Sequence, residues 1–125
     1  MKKILIAEDD AALATAYHLK MTKSDFEVKI VRDGDELLNS VVGFMPDLIL
    51  LDLVMPKKDG FTVLTTLKAD EHLKNIPVII ASNLGQKEEI DKGMALGAND
   101  FIVKSDISLT DVINKINAVL SPQTS

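Results

Sequence analysis

The sequence predicts an α/β fold, in which a five-stranded parallel sheet carries helices on both faces. Strand-like and helix-like segments alternate five times along the chain and are joined by loops of a few residues. Connections of this kind are right-handed crossovers, which place successive strands parallel in one sheet. Residues 48–51 are four apolar residues in a row, a pattern typical of a strand that is covered on both faces.

Five short apolar segments mark the strands. Residues 27–31 alternate between apolar and charged side chains, which is typical of a strand near the edge of the sheet. Pro46 and Pro77 precede the third and fourth strands, where each proline ends the segment before it. The predicted strands are residues 3–7, 27–31, 48–51, 78–81 and 101–103.

Apolar residues at helical spacing mark the helix that follows each strand. The second helix opens at Asp33, and the fourth, residues 86–96, is stopped by Gly97. The fifth begins at a capping-box pair, Ser108 and Asp111, and carries the most continuous apolar stripe. The apolar positions of the first three helices are Leu13, Ala16, Tyr17, Met21, Leu37, Leu38, Val41, Phe61, Leu64 and Leu67.

Length, composition and charge limit the class of protein. With 125 residues, 46% of them hydrophobic and none of them cysteine, we predict one globular domain at residues 1–121 and a flexible C-terminal tail at 122–125. No apolar run approaches the ~18 residues of a membrane span and no export signal is visible, so we expect a cytoplasmic protein without membrane contact. A net charge of −5 and a single arginine, Arg32, argue against nucleic-acid binding.

Acidic residues follow two of the predicted strands, at the edge where open α/β sheets bind ligands. Glu8 and Asp9 come after the first strand, and Asp52 comes after the third. Carboxylates held together repel one another, and a hard divalent cation relieves this repulsion, so we expect Mg²⁺ here, with Mn²⁺ as the alternative ion. The chemistry that fits is phosphoryl transfer onto Asp52, with Lys104 neutralising charge and Ser82 offering a hydroxyl.

Each of these residues also has a purely structural interpretation. Asp52 fits a turn or a helix cap, and the acidic residues at 8–10 suit the start of the first helix. Ser82 fits turn chemistry, and Lys104 fits a solvated strand end. An aromatic residue in a strand, such as Phe101, is more often plain core than a moving part.

Five landmarks, taken in chain order, resemble the receiver domain of two-component response regulators, of the single-domain, chemotaxis-receiver-like kind. They are Glu8-Asp9, Asp52, Met55-Pro56 with Asp59-Gly60, Ser82 and Lys104. Each landmark alone is weak, but the ordered set on a five-unit α/β chain is specific, and the resemblance covers essentially the whole chain. It implies a flavodoxin-like, doubly wound sheet with the strand order 2-1-3-4-5.

The resemblance implies an acceptor and a metal site among the acidic residues. Asp52 would be the phosphoacceptor. Asp9 would bind the metal directly, and Glu8 would help through water or a weaker contact. The backbone carbonyl of Val54 would be a further ligand.

The resemblance also implies a switch and its partners. Ser82 would hydrogen-bond a phosphoryl oxygen, Lys104 would pair with Asp52 and then with the phosphoryl group, and Phe101 would turn inward when Ser82 shifts. A sensor histidine kinase or a phosphotransfer protein would supply the phosphoryl group. The face of strand 4, helix 4 and strand 5 would then change its binding of a downstream protein or output domain. Such a chain is a signalling domain rather than an enzyme, and it catalyses only its own phosphorylation and slow dephosphorylation.

The chain departs from the family pattern at Ser105, where proline usually follows the lysine, often with a cis bond between them. Because a non-proline cis bond costs ~3–4 kcal/mol, we predict a trans Lys104–Ser105 bond and a shifted Lys104 loop. We also expect a monomer. The face through which family members dimerise carries an incomplete set of charged candidates here: Asp100, Lys87 and Lys115.

Three other functions remain open on the sequence alone. A small Mg²⁺-dependent phosphatase with Asp52 as nucleophile is disfavoured, because Val54 stands where such enzymes usually place a second aspartate. A flavin-binding carrier is disfavoured because the loop after the first strand is acidic rather than rich in glycine and hydroxyls. The third is a receiver-like scaffold that works without phosphorylation.

Overall fold

The structure, a computed structural model, describes residues 1–121, so the tail predicted at 122–125 lies outside the described residues. Strands and helices alternate along the chain, with a short 3₁₀ turn at Lys104–Asp106 before the last helix. The strands are β1 (Lys2–Ala7), β2 (Phe26–Val31), β3 (Leu48–Leu51), β4 (Val78–Ser82) and β5 (Asp100–Val103). The helices are α1 (Ala11–Lys23), α2 (Gly34–Phe44), α3 (Gly60–Ala69), α4 (Lys87–Ala95) and α5 (Leu109–Leu120).

The five strands form one sheet with the order β2-β1-β3-β4-β5, and every neighbouring pair is parallel. This confirms the predicted fold class and strand order. β2 lies at an edge, as its alternating side chains predicted. β3 lies at the centre, and all of its residues are buried.

The sheet separates two apolar cores, because successive side chains of a strand point to opposite faces. In β3, Ile49 and Leu51 pack into the core with α2 and α3, whereas Leu48 and Leu50 pack into the core with α1 and α5. The first core draws its helix residues from Leu37, Val41, Val63, Leu64 and Leu67, and the second from Tyr17, Met21, Val112, Ile113 and Ile116. Coverage on both faces explains the continuous apolar runs of the central strands.

Several strands are one residue longer than predicted, because polar or large end residues still pair with the neighbouring strand. Lys2 pairs with Phe26, and Ser82 pairs with Val103. α4 is shorter than predicted, since Gln86 and Leu96 are its caps. The capping box of α5 is confirmed: the Asp111 N–H donates to Ser108 Oγ at 3.2 Å, and the Ser108 N–H donates to the Asp111 carboxylate at 3.2 Å.

The register of the sheet brings the carboxyl-terminal ends of its strands to one edge. Ala7 of β1 pairs with Leu51 of β3, so the next residues, Glu8 and Asp52, emerge side by side. All peptide bonds within residues 1–121 are trans, which confirms the trans Lys104–Ser105 bond. No helix in this part of the chain is long and apolar enough to cross a membrane.

Candidate functional site

Three carboxylates meet at the carboxyl-terminal edge of the sheet. Glu8, Asp9 and Asp52 each offer an oxygen, and these oxygens lie within 4.8 Å of one another. Glu8 and Asp52 are buried, whereas Asp9 is exposed. Asp10, next in the chain, caps α1 instead: its carboxylate accepts from the Leu13 N–H at 3.1 Å. The sheet register thus assembles the cluster that the sequence predicted.

Lys104 connects the two buried carboxylates. Its Nζ donates to the carboxylate of Glu8 and to Asp52 Oδ2, the latter at 3.0 Å. The lysine side chain is only 12% exposed, so both ion pairs are largely shielded from solvent. Sequence reasoning paired Lys104 with Asp52 but missed Glu8, which is 96 residues away along the chain.

The electrostatics of the site follow from this burial. Burial raises the pKa of Glu8, and the charge of Asp52 adds to the rise, although Lys104 and the Asp10 N–H oppose it by hydrogen bonding. Burial alone would lower the pKa of Lys104, but the carboxylates of Glu8 and Asp52 together outweigh it and the pKa is raised. Lys104 therefore stays charged, and it is the one cation within hydrogen-bonding distance of these two buried acids in the described part of the chain.

Ser82 and Val54 border the acidic cluster. Ser82 is buried at the end of β4, and its Oγ accepts a hydrogen bond from the Leu84 N–H at 3.2 Å. This contact is the turn interaction that the sequence offered as the structural interpretation of Ser82. The Ser82 hydroxyl proton is not used by that contact and remains available for donation. The Val54 N–H donates to Asp52 Oδ1 at 3.3 Å, and the Val54 side chain projects into solvent.

Phe101 lies apart from the carboxylates, against α4. It is half-buried in β5 and packs against the core that β4 shares with α3. A Cβ built on Gly93 would stand 3.4 Å from the Phe101 ring and 2.6 Å from Ile80. The glycine therefore lets α4 lie close to both side chains.

An open cleft of about 1010 Å³ begins at the carboxylates and continues between α1 and α5. Its polar walls include Glu8, Asp52, Ser82 and Lys104, one from the end of each of four strands. Its apolar walls include Leu13, Ile107, Leu109 and Val112. Tyr17 also lines the cleft. Sequence reasoning had placed Tyr17 only on the apolar stripe of the first helix.

Tyr17 is the only tyrosine of the chain, which lacks tryptophan. Burial raises the pKa of its phenol, and the negative charges of Glu8 and Asp52 raise it further. We expect the folded protein to show no tyrosinate absorbance at pH values where the unfolded chain, with a phenol pKa of ~10, has already ionised. Because the folded pKa is the higher one, this group's contribution to stability is lost as pH rises above ~10.

A spectrophotometric pH titration in buffer and in denaturant checks this expectation. Tyr17→Phe should make the loss of stability at alkaline pH less steep. A tyrosinate midpoint near ~10 in the folded protein would contradict the burial and the electrostatic field described for Tyr17.

Comparisons with known proteins bear on the same residues. The family model described as the response regulator receiver domain matches residues 4–117. The DNA-binding dual master transcriptional regulator RpaA of Synechocystis sp. is 34% identical over 120 residues, which are 96% of this chain and 49% of RpaA. The chain thus spans about half the length of that relative.

Two solved structures give the likeness in three dimensions. The BeF₃-activated N-terminal receiver domain of RstA from Klebsiella pneumoniae superposes with a TM-score of 0.89 at 26% identity, covering 97% of this chain and 100% of that one. The Mn²⁺-bound form of response regulator Rcp1 superposes with a TM-score of 0.85 at 30% identity, covering 99% and 98%.

Proposed function

Because this chain belongs to the response regulator receiver domain family, we propose that it is a phosphorylation-activated signalling receiver that accepts a phosphoryl group on Asp52 in a Mg²⁺-dependent reaction. The observation that carries the proposal is the geometry of the acidic edge. Asp52 lies beside two further carboxylates and is hydrogen-bonded to the buried Lys104. Receiver domains are signalling domains, and the activity proposed for this chain is limited to its own phosphorylation and slow dephosphorylation.

The donor set at this edge fits a hard divalent cation. Glu8, Asp9 and Asp52 offer carboxylate oxygens, and the backbone carbonyl of Val54 is the further ligand in the proposal. Oxygen ligands without histidine or cysteine suit Mg²⁺, and Mn²⁺ is the alternative ion, which Rcp1 binds. When bound, the cation neutralises charge on the transferring phosphoryl oxygens.

The chain's own residues supply the rest of the reaction. An Asp52 carboxylate oxygen attacks phosphorus, so that an O–P bond forms while the N–P bond to a donor histidine breaks. The donor is a sensor histidine kinase or a phosphotransfer protein. Lys104, held charged beside Asp52, pairs with the phosphoryl group, and the Ser82 hydroxyl donates to a phosphoryl oxygen.

The proposed output is a change in the face formed by β4, α4 and β5. α4 is held by few contacts: its only buried residue is Gly93, and Gln86 makes no side-chain capping hydrogen bond. The Phe101 ring lies close to α4 at Gly93, which suits the switch role proposed for it. Through this face the chain would bind a downstream protein or an output domain.

Two further parts of the proposal concern the state of the protein. We place it in the cytoplasm, where its kinase partner would phosphorylate it. We favour a monomer, because charged residues of the dimer face pair within the chain. Lys115 Nζ donates to Asp100 Oδ2 at 3.3 Å, and Lys87 Nζ donates to Asp91 Oδ2 at 2.6 Å.

Intact mass spectrometry after incubation with Mg²⁺ and a small acyl-phosphate donor tests the function. We expect one added phosphoryl group on the wild-type protein, and none on Asp52→Asn or in the presence of EDTA. Asp106→Asn is the matched control, because Asp106 is exposed and lies outside the carboxylate cluster. It should be phosphorylated like the wild type.

Three outcomes would overturn the proposal. Phosphorylation of the Asp52→Asn variant would show that another residue is the acceptor. No adduct on folded wild-type protein, together with no binding of beryllofluoride, would leave a scaffold that works without phosphorylation. Rapid turnover of a generic phosphate ester would favour the phosphatase instead.

A further inference from the structure

Tyr17 combines a buried aromatic ring with a hydroxyl that has no hydrogen-bond partner among residues 1–121. Tyr17 is 2% exposed, and it belongs to the core between the sheet, α1 and α5 that also contains Met21 and Ile116. Leaving a buried hydroxyl without a hydrogen bond costs about 1–3 kcal/mol, and buried tyrosines usually find a partner. Because the ring is buried, a partner for the Tyr17 hydroxyl has to lie where its oxygen reaches the edge of the core.

The hydroxyl opens to the cleft. Within residues 1–121, no fully buried side-chain nitrogen or oxygen lacks a hydrogen-bond partner. Burial and the charges of Glu8 and Asp52 act on the phenol of Tyr17, and no hydrogen bond is among the causes of its raised pKa. The small exposed area of Tyr17 therefore includes its oxygen, and the space that Tyr17 lines is the cleft of the acidic site. Water in this cleft is the partner available to the hydroxyl.

The groups facing that water are charged or polar. Glu8, Asp52, Ser82 and Lys104 line the same cleft. The two carboxylates lie close enough to Tyr17 to raise the pKa of its phenol, so the hydroxyl keeps its proton and acts as a donor. A cation bound by these carboxylates would carry hydration waters. These waters can accept the hydrogen bond that the Tyr17 hydroxyl donates. Mg²⁺ keeps several of its waters when it binds to proteins.

We propose that Tyr17 is a positioning residue for the divalent cation, whose hydration water receives a hydrogen bond from the Tyr17 hydroxyl on the side of Glu8 and Asp52. The inference rests on the proposed function and deepens it, since it concerns the same site. Removing a residue that hydrogen-bonds the ligands of a metal, without binding the metal itself, typically lowers the metal affinity by about 10–100-fold. For a neutral hydroxyl acting through one water, we expect the lower part of that range.

Calorimetric titration of Mg²⁺ into the phosphate-free protein tests the inference. Tyr17→Phe keeps the ring and removes only the oxygen, so it should raise the dissociation constant of Mg²⁺ about 10-fold while the protein remains at least as stable. Thr15→Ala is the matched control. It removes a hydroxyl from the same helix, where Thr15 Oγ1 donates to the Ala11 carbonyl at 2.9 Å, and it should leave the affinity unchanged.

Tyrosine fluorescence gives a second readout that a merely structural role would not move. Because Tyr17 is the sole tyrosine and the chain lacks tryptophan, the emission near the tyrosine maximum reports this ring alone. Mg²⁺ should change the emission, and Mn²⁺ should quench it, each with the half-saturation that calorimetry gives for that ion. Asp9→Asn should weaken the response and the calorimetric affinity together.

The outcomes separate this inference from the proposed function. Equal Mg²⁺ affinity of Tyr17→Phe and wild-type protein, or an emission that stays constant as Mg²⁺ saturates the wild type, would overturn the inference alone. A wild-type protein that binds no Mg²⁺ would overturn both. Weaker binding by Tyr17→Phe with a normal Thr15→Ala supports the inference, whatever the phosphoryl donor proves to be.

Discussion

Replacing Lys104 with methionine should lower the free energy of unfolding by about 3 kcal/mol in the absence of divalent cations. Methionine keeps the length and the apolar stem but removes the charge. The carboxylates of Glu8 and Asp52, whose side chains are 2% and 8% exposed, would then face each other without a cation. An unpaired buried charge destabilises the folded state far more than an exposed one, because it has lost its hydrating water without gaining a partner. Urea unfolding of the two proteins measures the difference.

Lys115→Met is the matched control for this substitution. Lys115 also pairs with an aspartate, Asp100, but both side chains are more than one third exposed, so the loss should stay below about 1 kcal/mol. The Lys104→Met deficit should shrink as pH falls. Without the lysine, the folded pKa of Glu8 rises further above its unfolded value, and a group with a raised folded pKa stabilises the folded state only below that pKa.

Divalent cation provides the second check on Lys104→Met. The Mg²⁺ proposed to bind here would supply positive charge to the same carboxylates, so it should recover much of the lost stability, about 2.7 kcal/mol at a hundred times its dissociation constant. Equal unfolding free energies for Lys104→Met and Lys115→Met would contradict the proposed role of Lys104 in compensating the buried acids. A deficit that grows at acidic pH would do the same.

Replacing Gly60 with alanine should lower the free energy of unfolding by about 3 kcal/mol or more, at the upper end of the destabilisation that overpacking causes. A Cβ at this position would lie 2.4 Å from the backbone oxygen of Asp52 and 2.8 Å from the Cα of Leu53. These are backbone atoms, so no side-chain rotation can relieve the clash. The Gly60 N–H also donates to the Leu53 carbonyl at 2.9 Å, which fixes the start of α3 against this loop. The backbone that carries Asp52 would have to move.

Gly43→Ala is the opposite case within the same protein. Gly43 lies on the exposed side of α2, and a Cβ there would meet nothing within 4 Å. Alanine in a helix is about 0.5–1 kcal/mol more favourable than glycine, so this variant should be more stable than the wild type. Unfolding curves for both variants, with Mg²⁺ titrations of each folded protein, give the comparison. A Gly60→Ala protein with wild-type stability and Mg²⁺ affinity would contradict the close packing around Asp52.

The fold was predictable because its determinants repeat along the chain. Four apolar residues at 48–51 required a strand covered on both sides, and the alternation at 27–31 required an edge position, which β2 occupies. The meeting of Glu8, Asp9 and Asp52 was predictable for a related reason. Parallel strands end at one edge, so residues that follow different strands become neighbours whatever their separation in sequence.

The contacts that were missed depend on side-chain direction, which spacing does not encode. The apolar stripe of the first helix placed Tyr17 in the core, and its ring is there. The same stripe gave no information about which groups the Tyr17 hydroxyl faces. Lys104 could have reached Asp52 alone, and the additional contact with Glu8 depends on the conformations of two long side chains meeting over the sheet edge.

The sparse packing of α4 affects the order in which parts of the molecule unfold. A helix of nine residues whose only buried residue is a glycine contributes little apolar burial to the domain, so detaching it costs much less than opening the sheet. α4 can therefore melt and re-form as a small independent unit while the central strands remain intact. Rearrangement of this surface is then limited by a local transition rather than by the global folding barrier.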